Sequence, residues 1–142
     1  MTAIITRPLR DNGVPNRPRP DALLRFAMRT DATLCAAAGL LIAFTADPLS
    51  RLSGLSPTAE WIAGAALTGY GVVLYAIAGV PGVRRIGLGI LVANVMFAAA
   101  VVIVVVAGVL PLTGAGVVMM FATAAATLGF AGLQYLGVRH LA

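Results

Sequence analysis

Between Glu60 and Arg139 the chain carries only two formal charges, the adjacent Arg84 and Arg85. A stretch of that length cannot cover itself with a water-compatible surface. The whole chain has 142 residues, enough for one domain, and only 11% of them are charged. Soluble domains carry about 25%. The apolar residues are therefore not an oversized dry core; their solvent is lipid. The chain reads as all-α, a bundle of four transmembrane helices, with spans at 23–46, 61–80, 86–110 and 115–138. Each is close to the ~20 residues that cross a bilayer.

Turn residues punctuate these runs. Residues 1–19 hold four arginines, several Pro and Gly, and little that is apolar, so they read as a disordered cytoplasmic tail ahead of a membrane domain at 20–142. Pro20 suits a first helical position, and Asp21 suits the positive end of the helix dipole. Arg25 and Arg29 would snorkel outward from the start of the first span. The Arg-then-apolar order resembles a secretion signal, but a long tail precedes it, no small-x-small site follows it, and three more spans come after. Asp47 as N-cap, Pro48 next and Gly54 at the end predict a short helix, with Leu49, Leu52 and Leu55 along one face. Such a helix would lie on the membrane surface or over the end of the bundle. Ser56-Pro57 opens the second long helix, Pro81-Gly82 closes it, and Pro111 to Gly114 separates the last two.

The arginines set the orientation. The tail, the loop with Arg84 and Arg85, and the end with Arg139 are basic, whereas the loop with Asp47, Arg51 and Glu60 has a net charge of −1 and the third loop has none. Basic loops stay inside. The expected placement is multi-pass in the inner (plasma) membrane, with both termini cytoplasmic. All ten basic residues of the Lys and Arg class are arginine, a bias typical of a GC-rich genome. Arginines flanking a span are held by anionic lipid, and no fold or aromatic pattern here points to nucleic acid.

The two halves of the chain match at nearly constant spacing. Gly69-Tyr70-Gly71 with Tyr75 matches Gly129-Phe130-Ala131 with Tyr135 at an offset of 60, and Asp31 and Pro48 match Asn94 and Pro111 at 63. Two-span units enter the membrane the same way round. They would be parallel helical-hairpin repeats about an axis normal to the membrane. Small residues four apart (Ala65 and Gly69, Ala122 and Ala126, Ala125 and Gly129) would permit close helix crossing.

Polar residues inside the spans are few, and they define the candidate site: Asp31, Tyr75, Asn94, Gln134 and Tyr135. Every span brings one to a similar depth on the basic side. In hydrocarbon such groups seek one another or water. Asp31 reads either as a proton or cation site with Asn94 and a tyrosine, or as an interfacial acid paired with Arg29 or Arg84. Asn94 and Gln134 read as glue between helices, and the two tyrosines as interfacial anchors. No catalytic, cofactor-binding or metal-ligating set is expected: Cys35 and His140 are single, and no nucleophile–base pair or His/Cys/carboxylate cluster accompanies them. Gly87-x-Gly89 lies inside a span and lacks the strand of a nucleotide loop.

From Pro20 onward the chain resembles a group of uncharacterised four-helix bacterial, probable actinobacterial, integral membrane proteins. The shared features are Arg25, Arg29 and Asp31 entering the first helix, Asp47-Pro48-Leu49 after it, an Asn in the third span, and the stretch from Leu133 to Arg139. That resemblance implies no activity. In length and span number the chain is also similar to small multidrug-resistance transporters, whose first helix carries an essential carboxylate. Here the acid is Asp, the tail is longer and their other motifs are missing, so none of their residues is carried over. The expected role is that of a non-enzymatic structural or interaction protein, with the lipid bilayer, a second copy or another membrane protein as partner. The alternative is a small oligomeric transporter, coupled to protons or cations through Asp31.

Topology is directly testable. A reporter active only in the cytoplasm is expected to work when fused after Arg85 or Ala142 and to fail after Gly54 or Gly114. Activity after Gly54 would mean that the first segment does not cross.

Overall fold

The computed structural model describes residues 21–140. The expected tail at 1–19 and the helix start at Pro20 lie outside the described residues. The elements are α1 (Ala22–Phe44), α2 (Ala46–Ser53), α3 (Pro57–Ile77), α4 (Val83–Val106) and α5 (Gly114–Arg139). Among the described residues all regular structure is helical, and α1, α3, α4 and α5 are long and apolar enough to span a membrane. The protein is an all-α, multi-pass membrane protein. At most 28% of any spanning window is buried within the molecule. The remaining apolar surface therefore faces lipid or another protein.

Local chemistry explains the helix limits. Ser56 caps α3 by accepting a bond from Ala59 N at 3.2 Å, with Pro57 next in the chain. Thr113 caps α5 in the same way from Gly116 N at 3.0 Å. Each hydroxyl satisfies one of the N–H groups that a helix start leaves unbonded. Gly82, at φ 75°, makes the left-handed turn into α4. The short helix differs from its expected form: Asp47 is not its N-cap. Thr45 holds that position, one residue after α1 ends, and Asp47 and Pro48 lie inside the first turn. Pro48 is tolerated there because its missing N–H would have had no partner within the helix. α1 and α2 are thus nearly one helix bent at Thr45. Gly54 ends α2 with φ 89°, as its position suggested.

Glycine decides which helices touch. A Cβ on Gly64 would lie 2.5 Å from Ala43 N, and one on Gly71 would lie 2.5 Å from Ala32 O. From the other side, a Cβ on Gly39 would lie 2.5 Å from Thr68 N. The backbones of α1 and α3 therefore meet directly along this face, and theirs is the most extensive helix contact. α4 packs on α5, and α5 also lies against α1. The small pairs singled out above do not make these contacts: Gly69 and Gly129 have open space where a side chain would be, and Ala122, Ala125 and Ala126 are exposed. In a chain this rich in Ala and Gly, small residues recur in several registers, and packing selects one.

α2 closes one end of the bundle. Ser53 O accepts a bond from Thr113 N at 2.9 Å, and Thr113 Oγ1 donates to Leu52 O, so α2 is fastened to the start of α5. Ser53 Oγ donates to the buried Glu60 carboxylate of α3. Arginines gather at the other end. There Arg25 reaches from α1 to the α3–α4 turn, donating to Ala78 O at 2.6 Å and to Val80 O at 3.1 Å.

The hairpins α1–α3 and α4–α5 repeat each other in what they bury. Leu24, Ala27 and Asp31 are buried, and so are Gly87, Ile90 and Asn94 at an offset of 63. Gly64, Gly71, Leu74 and Ala78 are buried, and so are Ala124, Ala131, Gln134 and Val138 at an offset of 60. Equivalent residues also meet each other. Asp31 is bonded to Asn94, and a Cβ on Gly87 would lie 2.9 Å from Leu24 Cδ2. These two meetings are seven residues apart along the helices, roughly 10 Å. An axis in the membrane plane would bring equivalent residues together at one depth only, so two depths require an axis along the helices, as parallel repeats have. The symmetry is incomplete: α5 lies against α1, but α3 does not lie along α4.

The α1–α3 interface yields a stability prediction. Gly64→Val and Gly71→Val should each cost about 1–3 kcal/mol, because backbone atoms cannot move aside for the added methyls. Gly69→Val and Gly129→Val should stay within about 0.5 kcal/mol. Unfolding of the purified protein in mixed micelles measures all four; equal effects at both pairs would mean that α1 and α3 are not in backbone contact.

Candidate functional site: a polar cluster joining four helices

Asp31 lies nine residues into α1, roughly 14 Å from its start at 1.5 Å per residue. That places it inside a membrane-spanning helix, where an acid needs partners. Leu24, Ala27, Met28 and Ala32 share its buried face on α1. Asp31 itself is only 4% exposed.

Its partners come from the second hairpin and from its own helix. Gln134 Nε2 of α5 donates to Asp31 Oδ2 at 2.9 Å, and Asn94 Nδ2 of α4 donates to the same oxygen at 3.1 Å. Cys35 Sγ, one turn further along α1, donates to Asp31 Oδ1 at 3.4 Å. Asn94 Nδ2 also lies 3.3 Å from Gln134 Oε1. Tyr70 of α3 completes the set, its hydroxyl donating to Asn94 Oδ1 at 3.1 Å. All four spanning helices thus supply at least one side chain, α1 two. Among the described residues no buried side-chain polar atom lacks a partner. Interhelical hydrogen bonds in lipid contribute on average about 0.6 kcal/mol and at most about 1.7. Their sum is modest, but each fixes the rotation of a helix about its axis.

Three of the five residues expected here, Asp31, Asn94 and Gln134, come together. Tyr75 and Tyr135 do not: they are 54% and 53% exposed. Tyr135 follows the fully buried Gln134, and the rotation of about 100° between them turns its side chain outward. Tyr75 carries the Arg29 guanidinium over its ring, at 5.8 Å from the centroid. The residue that sequence reasoning missed is Tyr70. Tyr70 and Tyr75 flank the buried stripe of Gly64, Gly71 and Leu74 on opposite sides, and α4 stands on the Tyr70 side. Periodicity finds the stripe and cannot tell which flank has a neighbour. Cys35 was likewise not among the expected site residues, although its spacing of four from Asp31 is the spacing at which helical side chains meet.

The pairing of Asp31 with Arg29 or Arg84 is not found. Two residues separate Arg29 from Asp31, which points them about 200° apart around the helix. Among the described residues the one ion pair is Arg25 with Asp21, at 2.7 Å. The cluster is an acid held by two amides and a thiol, with a phenol behind one of the amides. Such an arrangement can hold helices in register or bind a proton or small cation at the carboxylate. Asp31 and Cys35 are two potential metal ligands, and no group of three His, Cys, Asp or Glu occurs among the described residues.

Comparison with known proteins adds no relative: no family model, curated protein or solved structure matches the chain.

A double-mutant cycle tests the cluster. Asp31→Ala and Gln134→Leu should each destabilise the protein by about 1–3 kcal/mol, since each strands a buried polar group. Combined, they should cost about 0.6–2 kcal/mol less than their sum. Tyr75→Phe and Tyr135→Phe should change stability by less than about 0.5 kcal/mol. Full additivity of the first pair would dissolve the cluster as a unit.

Proposed function

We propose that this is a non-enzymatic protein of the inner (plasma) membrane, with both ends on the cytoplasmic side, that works by packing against a second copy of itself. The observation that carries this reading is the division of polar and small residues between inside and outside. The membrane-buried polar groups are spent on one another, in a cluster that ties all four spans together. The registers of small residues not used within the molecule, Ala125 with Gly129 and Ala122 with Ala126, lie on the outside of α5. Small residues four apart let the backbones of two membrane helices approach closely. The orientation is supported by the arginines, which gather on one side of the membrane domain.

A second reading has its own observation. Asp31 is a carboxylate inside the spans with no cationic partner among the described residues, and Tyr70 beside it is 37% exposed. Ionisable groups so placed often mark proton or ion pathways. A small oligomeric transporter that takes a proton or cation at Asp31 fits those facts.

Counting fluorophore bleaching steps in single vesicles as protein is diluted into lipid tests the packing, and cation flux into the same vesicles separates the two readings. The expected result is dimers or larger assemblies that persist on dilution, that Gly129→Leu and Ala125→Leu convert to monomers of unchanged helix content, and that carry no flux. Monomers at every dilution would overturn the first reading, and proton-coupled cation flux through the assemblies that Asp31→Asn abolishes would replace it with the second.

A further inference from the structure

The Arg-rich end holds more positive charge than its described residues neutralise. Arg25, Arg29, Arg84, Arg85 and Arg139 all belong to it, and Asp21 is the acid beside them. Asp21 is bonded to Arg25. Arg29, Arg84, Arg85 and Arg139 make no ion pair with any described residue.

A groove of about 600 Å³ opens here between the first turns of α1 and the α3–α4 turn, lined by Asp21, Arg25, Phe26, Arg29, Gly79 and Pro81 among others. Its two arginines are held by different means. Arg25 is fixed by bonds from Nε to Asp21 Oδ2, from Nη1 to Ala78 O and from Nη2 to Val80 O. A guanidinium has five N–H donors, so two remain. Arg29, one turn further into the membrane, lies over the Tyr75 ring, and its guanidinium donates no hydrogen bond to a described residue. Stacking orders a guanidinium while leaving its in-plane N–H groups free for an anion. The groove thus offers donors held in place and lacking an acceptor. Its surroundings are apolar: Phe26 on its wall is 66% exposed, and Tyr75 beneath Arg29 is 54% exposed.

We propose that this groove is a binding site for an anionic glycerophospholipid. Arg29 and the free edge of Arg25 take the headgroup phosphate, with Phe26 beside it at the membrane interface and Tyr75 along the upper acyl chains. Charge favours a lipid of net negative charge over a zwitterionic one, because the choline of the latter would meet uncompensated arginine. The apolar wall favours a lipid over free phosphate. The site depends on the chain being embedded in a membrane and not on either reading of Asp31.

A fluorophore placed in the groove tests it. Trp61 is the only tryptophan. A Trp61→Phe, Phe26→Trp protein, reconstituted in phosphatidylcholine vesicles, would be titrated with phosphatidylglycerol brominated on its acyl chains. The expected result is quenching at several-fold lower mole fraction than with brominated phosphatidylcholine. Arg29→Gln should weaken it about fivefold, since one arginine near an anionic surface contributes about that factor. Arg29→Gln removes no hydrogen bond within the protein, so its fold should survive, which an unchanged melting curve would verify. Arg51→Gln, at the other end of the bundle, should change nothing. Equal quenching by the two lipids, no effect of Arg29→Gln, or full displacement by excess inorganic phosphate would each overturn the proposal.

Discussion

A carboxylate in hydrocarbon has to find donors, and that need organises this bundle. Asp31 takes donors from Asn94, Gln134 and Cys35, and Asn94 in turn accepts from Tyr70. Apolar side chains pack against lipid tails about as well as against one another, so they do not fix how each helix is rotated. Directional bonds do. Rotating α4 or α5 by one residue, about 100°, would turn Asn94 or Gln134 away and cost the carboxylate one of its two amide donors. The Asp31 cluster therefore sets which face of each helix is inside, and the glycine contacts follow from that setting.

The glycine face of α1 and α3 complements the cluster. Where the backbones touch, at Gly39, Gly64 and Gly71, the two helices of the first hairpin become one rigid unit. The second hairpin carries Ala124 and Ala131 where the first carries Gly64 and Gly71, so added methyl groups stand between α4 and α5. The two hairpins are then held together at three levels. Leu24 packs against Gly87 and Gly137 near the Arg-rich end, the Asp31 cluster lies within the spans, and Ser53 with Thr113 fastens the far end. Asp31 and Asn94 occupy equivalent places in the two repeats. One acid facing one amide can bond, whereas two acids would repel and two apolar residues would leave Gln134 without partners.

Much of the fold was legible in the sequence because the bilayer enforces simple rules. An apolar run of sufficient length must be helical, since only a helix satisfies its own backbone bonds in lipid. Ser56, Gly54 and Gly82 act where their chemistry requires. Asp47 misled because a residue that caps well is also at home in a first turn, and α2 begins two residues earlier, with Thr45 at the N-cap position. In the cluster, Asp31, Asn94 and Gln134 were legible because a polar side chain deep in a span has few other places to go. The tyrosines were not, because a phenol is equally at home at the interface and in a bundle.

The sequence alone determined four helices, their approximate limits, the uneven spread of arginine and the repeat spacing of 60 to 63 residues. These are one-dimensional properties: hydropathy, charge and period are read along the chain. The tertiary structure decided which flank of each buried stripe meets a neighbour. That choice put Tyr70 and not Tyr75 beside Asn94, set Arg29 over the Tyr75 ring, and sent the Ala125 and Gly129 register outward. A helix looks the same from either flank when only its period is known. Only the position of the next helix, set by directional bonds among side chains far apart in the chain, tells the flanks apart.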